Sequence, residues 1–142
     1  MLFKNILVPH DGSGHSKHAF KVALDMAKKY NSKISLVTVM DTSLGYWGHS
    51  TLWDAAIGGA KTLVTKEFES FESAAKKAKV SFHSEIIESK SVTKTIVSYS
   101  KSKKIDLIVM AAHGITGWDK LILGSVSDGV IHRVRCPVLI VR

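Results

Sequence analysis

The sequence predicts an α/β fold, a single doubly wound sheet of five parallel strands with helices on both faces. Three observations carry this. Short apolar runs alternate with amphipathic helical stretches along the 142 residues. The alternation reads βαβαβαβαβ, the order that right-handed crossovers turn into a parallel sheet. One run, Ile105–Met110, is continuously apolar, as a strand buried on both faces requires.

Taken in order, Phe3–Val8 is the first strand. A helix follows from Ser16 to Tyr30, with Phe20, Ala23, Leu24, Ala27 and Tyr30 on one stripe. Ile34–Met40 is the second strand. Residues 41–50 have neither period and read as a loop. A long helix runs from about Leu52 to Ala78, with Leu63, Phe68, Phe71, Ala75 and Ala78 as its apolar face. The pair Gly58–Gly59 is expected to loosen its first turns. Phe82–Ile87 is the third strand, and Ser91–Lys103 a helix with Val92, Ile96 and Tyr99 inward. After the fourth strand, Ser125–Val134 is the last helix, where Ser125 and Asp128 match an S-x-x-D capping box. Pro137 opens the fifth strand, Val138–Arg142, where a missing N–H costs no ladder bond.

Composition narrows the class. Hydrophobic residues make up 45%, enough for a packed core in one domain spanning residues 1–142. A single cysteine, Cys136, excludes an internal disulfide and fits a reducing compartment. The N-terminal apolar stretch stops at Pro9 without a cleavage site, and no run is long enough to span a bilayer. A cytoplasmic protein without membrane contact is expected. The net charge of +8 favours anionic partners. The lysines are scattered over amphipathic stretches, however, and read as solvated helix faces, so nucleic acid is not the expected partner.

In doubly wound sheets ligands bind beyond the carboxyl ends of the strands, where strand order reverses. That rule selects Pro9–Gly14, Val39–Asp41 and Ala111–Ser125. In the third segment Gly114 follows a buried strand and Gly124 opens a helix, and glycine permits close backbone approach to a ligand and positive φ. The N–H groups of Ser125, Val126 and Ser127 then form an anion site at a helix N-terminus. An ordinary turn and N-cap explains the same residues, and a D-G-S turn explains Asp11.

Other chemistries fit poorly. Gly12-x-Gly14 lacks the third glycine of a dinucleotide fingerprint, where Lys17 stands instead. No P-loop and no G-x-S-x-G elbow is present. His15 and His18 share a helix face but lack a third metal ligand, so they read as surface histidines. Cys136 reads as core. Trp47, Trp53 and Trp118 read as packing residues.

The run Ala111-x2-Gly114-x9-Gly124-Ser125 resembles the nucleotide-binding signature of universal stress proteins, G-x2-G-x9-G-(S/T), with alanine at the first glycine. ILVPHDGS, LVTVMD and CPVLIVR are similar to the opening, second and closing strands of that family. The resemblance implies that Asp11 reads the adenine, that Val39 flanks the base and that Pro9 shapes the first loop. Ala111 and Gly114 would lie along ribose and phosphates with His113 between them. Gly124, Ser125 and Val126 would hold the phosphate end, and Met110, Gly117 and Ser127 complete the set. The expected ligand is ATP, with AMP, ADP and a companion magnesium ion left open. Beyond Asp11 and Asp41 no acidic pair is placed for that ion. His10 stands where the family usually has a small or aliphatic residue, and it is expected to alter the base pocket.

The expected function is adenine-nucleotide binding in stress-response regulation with at most slow hydrolysis, rather than enzymatic turnover. The alternative is an interaction protein with a vestigial pocket. Strand order 3-2-1-4-5 leaves the apolar fifth strand at an edge. A homodimer through 138–142 is therefore expected, as the resemblance also implies.

Overall fold

The first strand forms because Ile6, Leu7 and Val8 have nowhere to go but inward, and all three are fully buried. The computed structural model describes residues 2–42, 51–112 and 124–142, with backbone alone for 51–57. The elements are β1 (Asn5–Pro9), α1 (Gly14–Tyr30), β2 (Lys33–Asp41), α2 (Thr51–Lys77), β3 (Ser81–Ser89), α3 (Val92–Ser102), β4 (Leu107–Ala111), α4 (Ser125–Arg133) and β5 (Val138–Val141). The strands form one sheet in the order β3-β2-β1-β4-β5, with every pairing parallel. Fold class and strand order are those read from the sequence.

Strand alternation splits the core in two. Ile6, Val8, Ile34, Leu36, Leu107 and Val109 face α1 and α2, where Phe20, Ala23, Phe68 and Phe71 meet them. Leu7, Val37, Ile108 and Met110 face α3 and α4, against Ile96, Tyr99 and Val130. Each fully buried aliphatic side chain stabilises the fold by about 1.5–3 kcal/mol relative to exposure.

Local chemistry sets the helix ends. Ser13 caps α1 by accepting the N–H of Ser16 at 3.1 Å, and Ser91 caps α3 by accepting that of Lys94 at 3.2 Å. Asn31 closes α1 in the left-handed region, which asparagine tolerates. α3 and α4 approach so closely that a Cβ on Gly129 would sit 2.8 Å from Cγ2 of Thr93, so glycine is required there for space.

Several expectations need correction. Leu63 is 66% exposed. The inward stripe of α2 is Val64, Phe68, Phe71 and Ala75, and Leu63 lies one step off it. Tyr30 is also partly exposed. Helix α2 runs unbroken through Gly58 and Gly59. The capping box at Ser125 does not form. Gly124 is the N-cap, no side chain caps α4, and Ser125 is the first helical residue. Ile105 belongs to the turn before β4, its N–H bonded to the carbonyl of Ser100 at 2.9 Å. Cys136 is half-buried against the second core, and burial pushes its thiol up, with Asp106 adding to the rise. Trp47, Trp53 and Trp118 lie outside the side chains described.

Candidate functional site

The reversal of strand order lies at β1, which pairs with β2 on one side and β4 on the other. At the carboxyl ends of these strands the chain opens a cavity of about 280 Å³, at the small end of ligand pockets. Three backbone bonds shape its rim. His10 N–H reaches the carbonyl of Val37 at 2.8 Å, and Ala112 N–H reaches that of Val141 at 2.9 Å. Gly124 N–H returns to the carbonyl of Ala112 at 2.9 Å, which seats the start of α4 against the end of β4.

Nine of the twelve residues expected at the site line this cavity. Pro9 and Asp11 come from β1 and the turn after it, Val39 from β2, and Met110 and Ala111 from β4. Gly124, Ser125, Val126 and Ser127 come from the start of α4. His113, Gly114 and Gly117 lie outside the described residues.

Five further residues line the cavity: His10, which was expected to alter the pocket, Ser16 and Val37, which the sequence reading missed, and Val92 and Ile96, which it assigned simply to the core. Alternation from Val39 is the signal for Val37, since residues two apart on a strand share a face.

The two ends of the cavity differ chemically. Val37, Val39, Ile96 and Met110 give it an apolar wall. At the other end, the first intrahelical bond of α4 runs from Asp128 N–H to Gly124 C=O at 2.9 Å. The N–H groups of residues 125–127 precede it and carry the positive end of the helix dipole. The Ser127 hydroxyl is committed elsewhere, donating to the carbonyl of Ala111 at 2.9 Å. Ser125 is exposed at the mouth. Gly124 has φ −61°, a conformation open to any residue, so its backbone angle does not call for glycine.

Asp11 does what a turn aspartate does. Its Oδ1 accepts the N–H of Ser13 at 2.9 Å, and Gly12 follows with φ +87°. The carboxylate nevertheless borders the cavity.

His10 is the main surprise. It borders the cavity together with Ser16, while its ring packs into the layer between β1, α1 and α2. Its side chain is fully buried, with Nε2 2.5 Å from Oε2 of Glu67 and Nδ1 2.7 Å from Oγ of Ser16. The ring stands edge-on to Phe71 at 5.0 Å. With Glu67 ionised, Nε2–H donates to it. His10 thus fastens the loop carrying Asp11 to both helices. His15 and His18 are exposed, as expected. Among the described residues no group of three or more His, Cys, Asp or Glu is placed to hold a metal ion.

Comparison with known proteins follows the same lines. The sequence profile of the universal stress protein family matches residues 2–142. A universal stress protein of Methanocaldococcus jannaschii is 33% identical over 143 aligned positions, covering 99% of this chain and 83% of the relative. The structure of a universal stress protein from Lactobacillus plantarum superposes with TM-score 0.81 at 23% identity, covering 100% and 99% of the two chains. Two further structures share the fold. One is a universal stress protein in complex with cAMP, with TM-score 0.74 at 21% identity and coverage of 100% and 98%. The other, from Archaeoglobus fulgidus in complex with dAMP, has TM-score 0.67 at 18% identity and covers both chains fully. With its profile matched from residue 2 to residue 142, this chain belongs to the universal stress protein family.

Proposed function

We propose that this protein is a one-domain cytoplasmic regulator of the stress response that binds an adenine nucleotide, ATP foremost, in the cavity between β1, β4 and α4. The observation that carries the reading is the cavity's two-ended character. An apolar wall suits the faces of a purine, and the N–H groups at the start of α4, which precede its first intrahelical bond, suit a phosphate. Asp11 stands at the rim as an acceptor for an adenine or ribose donor. The cAMP and dAMP complexes of two structural neighbours support the choice of adenine and phosphate. The role is one of binding, with hydrolysis at most slow.

Protein stripped of carried-over ligand should bind ATP in a calorimetric titration with magnesium present. At a ligand concentration about a hundredfold above Kd, stability should rise by about 2.7 kcal/mol. No heat and no thermal shift at millimolar ATP would overturn the reading.

The same proposal includes a homodimer through the β5 edge. Ile140 packs inward on the second core, whereas Leu139 is 37% exposed. Leu139→Lys is therefore the substitution to make, and it should shift a sedimenting dimer toward monomer with the fold kept. A wild-type chain that sediments as a monomer at tens of micromolar refutes the dimer.

A further inference from the structure

The fold gathers what the sequence scatters. All five strands are parallel, so the helices between them end at one end of the molecule, opposite the cavity. Their last turns carry Lys28 and Lys29 on α1, Lys76 and Lys77 on α2, Lys101 on α3 and Arg133 on α4. The segments leading into the strands add Lys4, Lys33, Lys79, Lys103, Lys104 and Arg135. All twelve are exposed. Hydrogen bonds join the segments, with Lys33 N–H donating to the carbonyl of Lys4 at 2.7 Å and the Asn5 side-chain amide donating from Nδ2 to that of Lys104 at 3.3 Å.

Twelve of the twenty basic residues thus share this end, and Asp106 is the one acid in the helix last turns and strand-entry segments that carry them. Asp106 is already used, its carboxylate accepting the N–H groups of Lys4 and Asn5 at 2.9 and 3.0 Å. Among the described residues no salt bridge neutralises any of the twelve.

Helix dipoles account for the six in last turns. They do not account for the six outside the helices. Two of those carry a further cost. Lys79 and Lys104 hold φ of +58° and +53°, a conformation that glycine adopts freely and that is unfavourable for lysine. Lysine at both positions gives up stability for charge, in a field where each added charge also repels its neighbours. Residues held against local preference point to function.

We propose that this end of the protein docks on an anionic lipid bilayer. The charge selects an anionic surface, and juxtaposed lysines are what the negative headgroup layer attracts. The apolar residues select lipid over nucleic acid. Leu2 is 74% exposed and Tyr30 38% exposed in the same region, the Tyr30 ring flanked by Phe3 at 5.7 Å and by the ammonium of Lys29 at 5.9 Å. A leucine and an aromatic among lysines suit the headgroup boundary, whereas a phosphate backbone offers Leu2 nothing. Ten of the twelve charges are lysines, point charges without the two-pronged geometry by which arginine reads phosphate. Docked this way, the protein keeps its cavity facing solvent at the opposite end, whatever that cavity holds.

The test is co-sedimentation of the full chain with vesicles of phosphatidylcholine, alone or with about a third phosphatidylglycerol. Binding is expected on the anionic vesicles only, and it should fall as salt rises. The variant Lys28→Gln/Lys79→Gly/Lys103→Gln/Lys104→Gly should bind about a thousandfold more weakly while melting no lower than wild type, since glycine relieves both strained positions. Removing four lysines elsewhere, Lys21, Lys61, Lys66 and Lys94 to glutamine, should change binding by less than about threefold. Leu2→Ser should weaken vesicle binding further. The proposal is overturned if anionic vesicles fail to bind, if neutral vesicles bind equally, or if the control variant loses as much. It is also overturned if duplex DNA binds more tightly than the vesicles and Leu2→Ser affects neither.

Discussion

Replacing His10 with alanine should cost about 3 kcal/mol of folding stability, a large share of the 5–15 kcal/mol that holds a typical domain together. The magnitude follows from what the removal leaves behind. The ring is fully buried and edge-on to Phe71, so its loss opens a cavity in the layer between β1 and α2. Two hydrogen bonds go with it, each worth about 1 kcal/mol and more where one partner is charged. The partners are not stranded, which bounds the cost from above. Ser16 keeps its bond to the carbonyl of Ser13 at 2.9 Å, and the Glu67 side chain is 31% exposed, with Lys17 at 3.9 Å. Glu67→Ala should therefore cost less, about 1 kcal/mol, because the carboxylate already sees water. Denaturant unfolding of both variants checks this. Equal costs would mean that the ion pair, rather than packing of the ring, holds α2 to the loop after β1.

His10 also marks where sequence reasoning reached its limit. Its position beside Asp11 was legible, and so was its place at the pocket. The direction of its ring was not, because that depends on the parity of β1 and on a helix 57 residues further along the chain that supplies Glu67. The strands were legible because Ile6–Val8 and Ile108–Met110 admit only burial. Register was not, and with register comes the cavity wall. Pro9 pairs with Val37, which makes Val37 a neighbour of the site though no motif includes it. Leu63 failed for a related reason. Helical periodicity places a stripe only to within one residue, and Val64 rather than Leu63 belongs to it. The basic end of the molecule was the least legible feature. Its lysines and arginines come from five separate segments, and only a parallel sheet, which sends every helix back the same way, brings them together.

Gly124→Val should weaken ATP about a hundredfold while leaving adenosine within about threefold, a difference of about 2.7 kcal/mol. Gly124 sits at φ −61° and ψ 155°, extended geometry that valine adopts without strain. The backbone therefore has no reason to move, apart from the modest preference for glycine over valine at an N-cap. What changes is space. The residue lines the cavity immediately before the N–H groups of residues 125–127, and an isopropyl group there stands between those donors and a phosphate. Charge-assisted bonds of this kind are each worth about 1.5–3 kcal/mol, so losing one or two gives the predicted factor. Adenosine has no phosphate, and in the proposed binding mode its base would rest on the apolar wall formed by Val37, Val39, Ile96 and Met110, away from the substitution. Calorimetric titration of both ligands into the variant, beside a melting curve to verify the fold, measures the difference. Equal losses for ATP and adenosine with the melting temperature unchanged would remove the start of α4 from the phosphate's position.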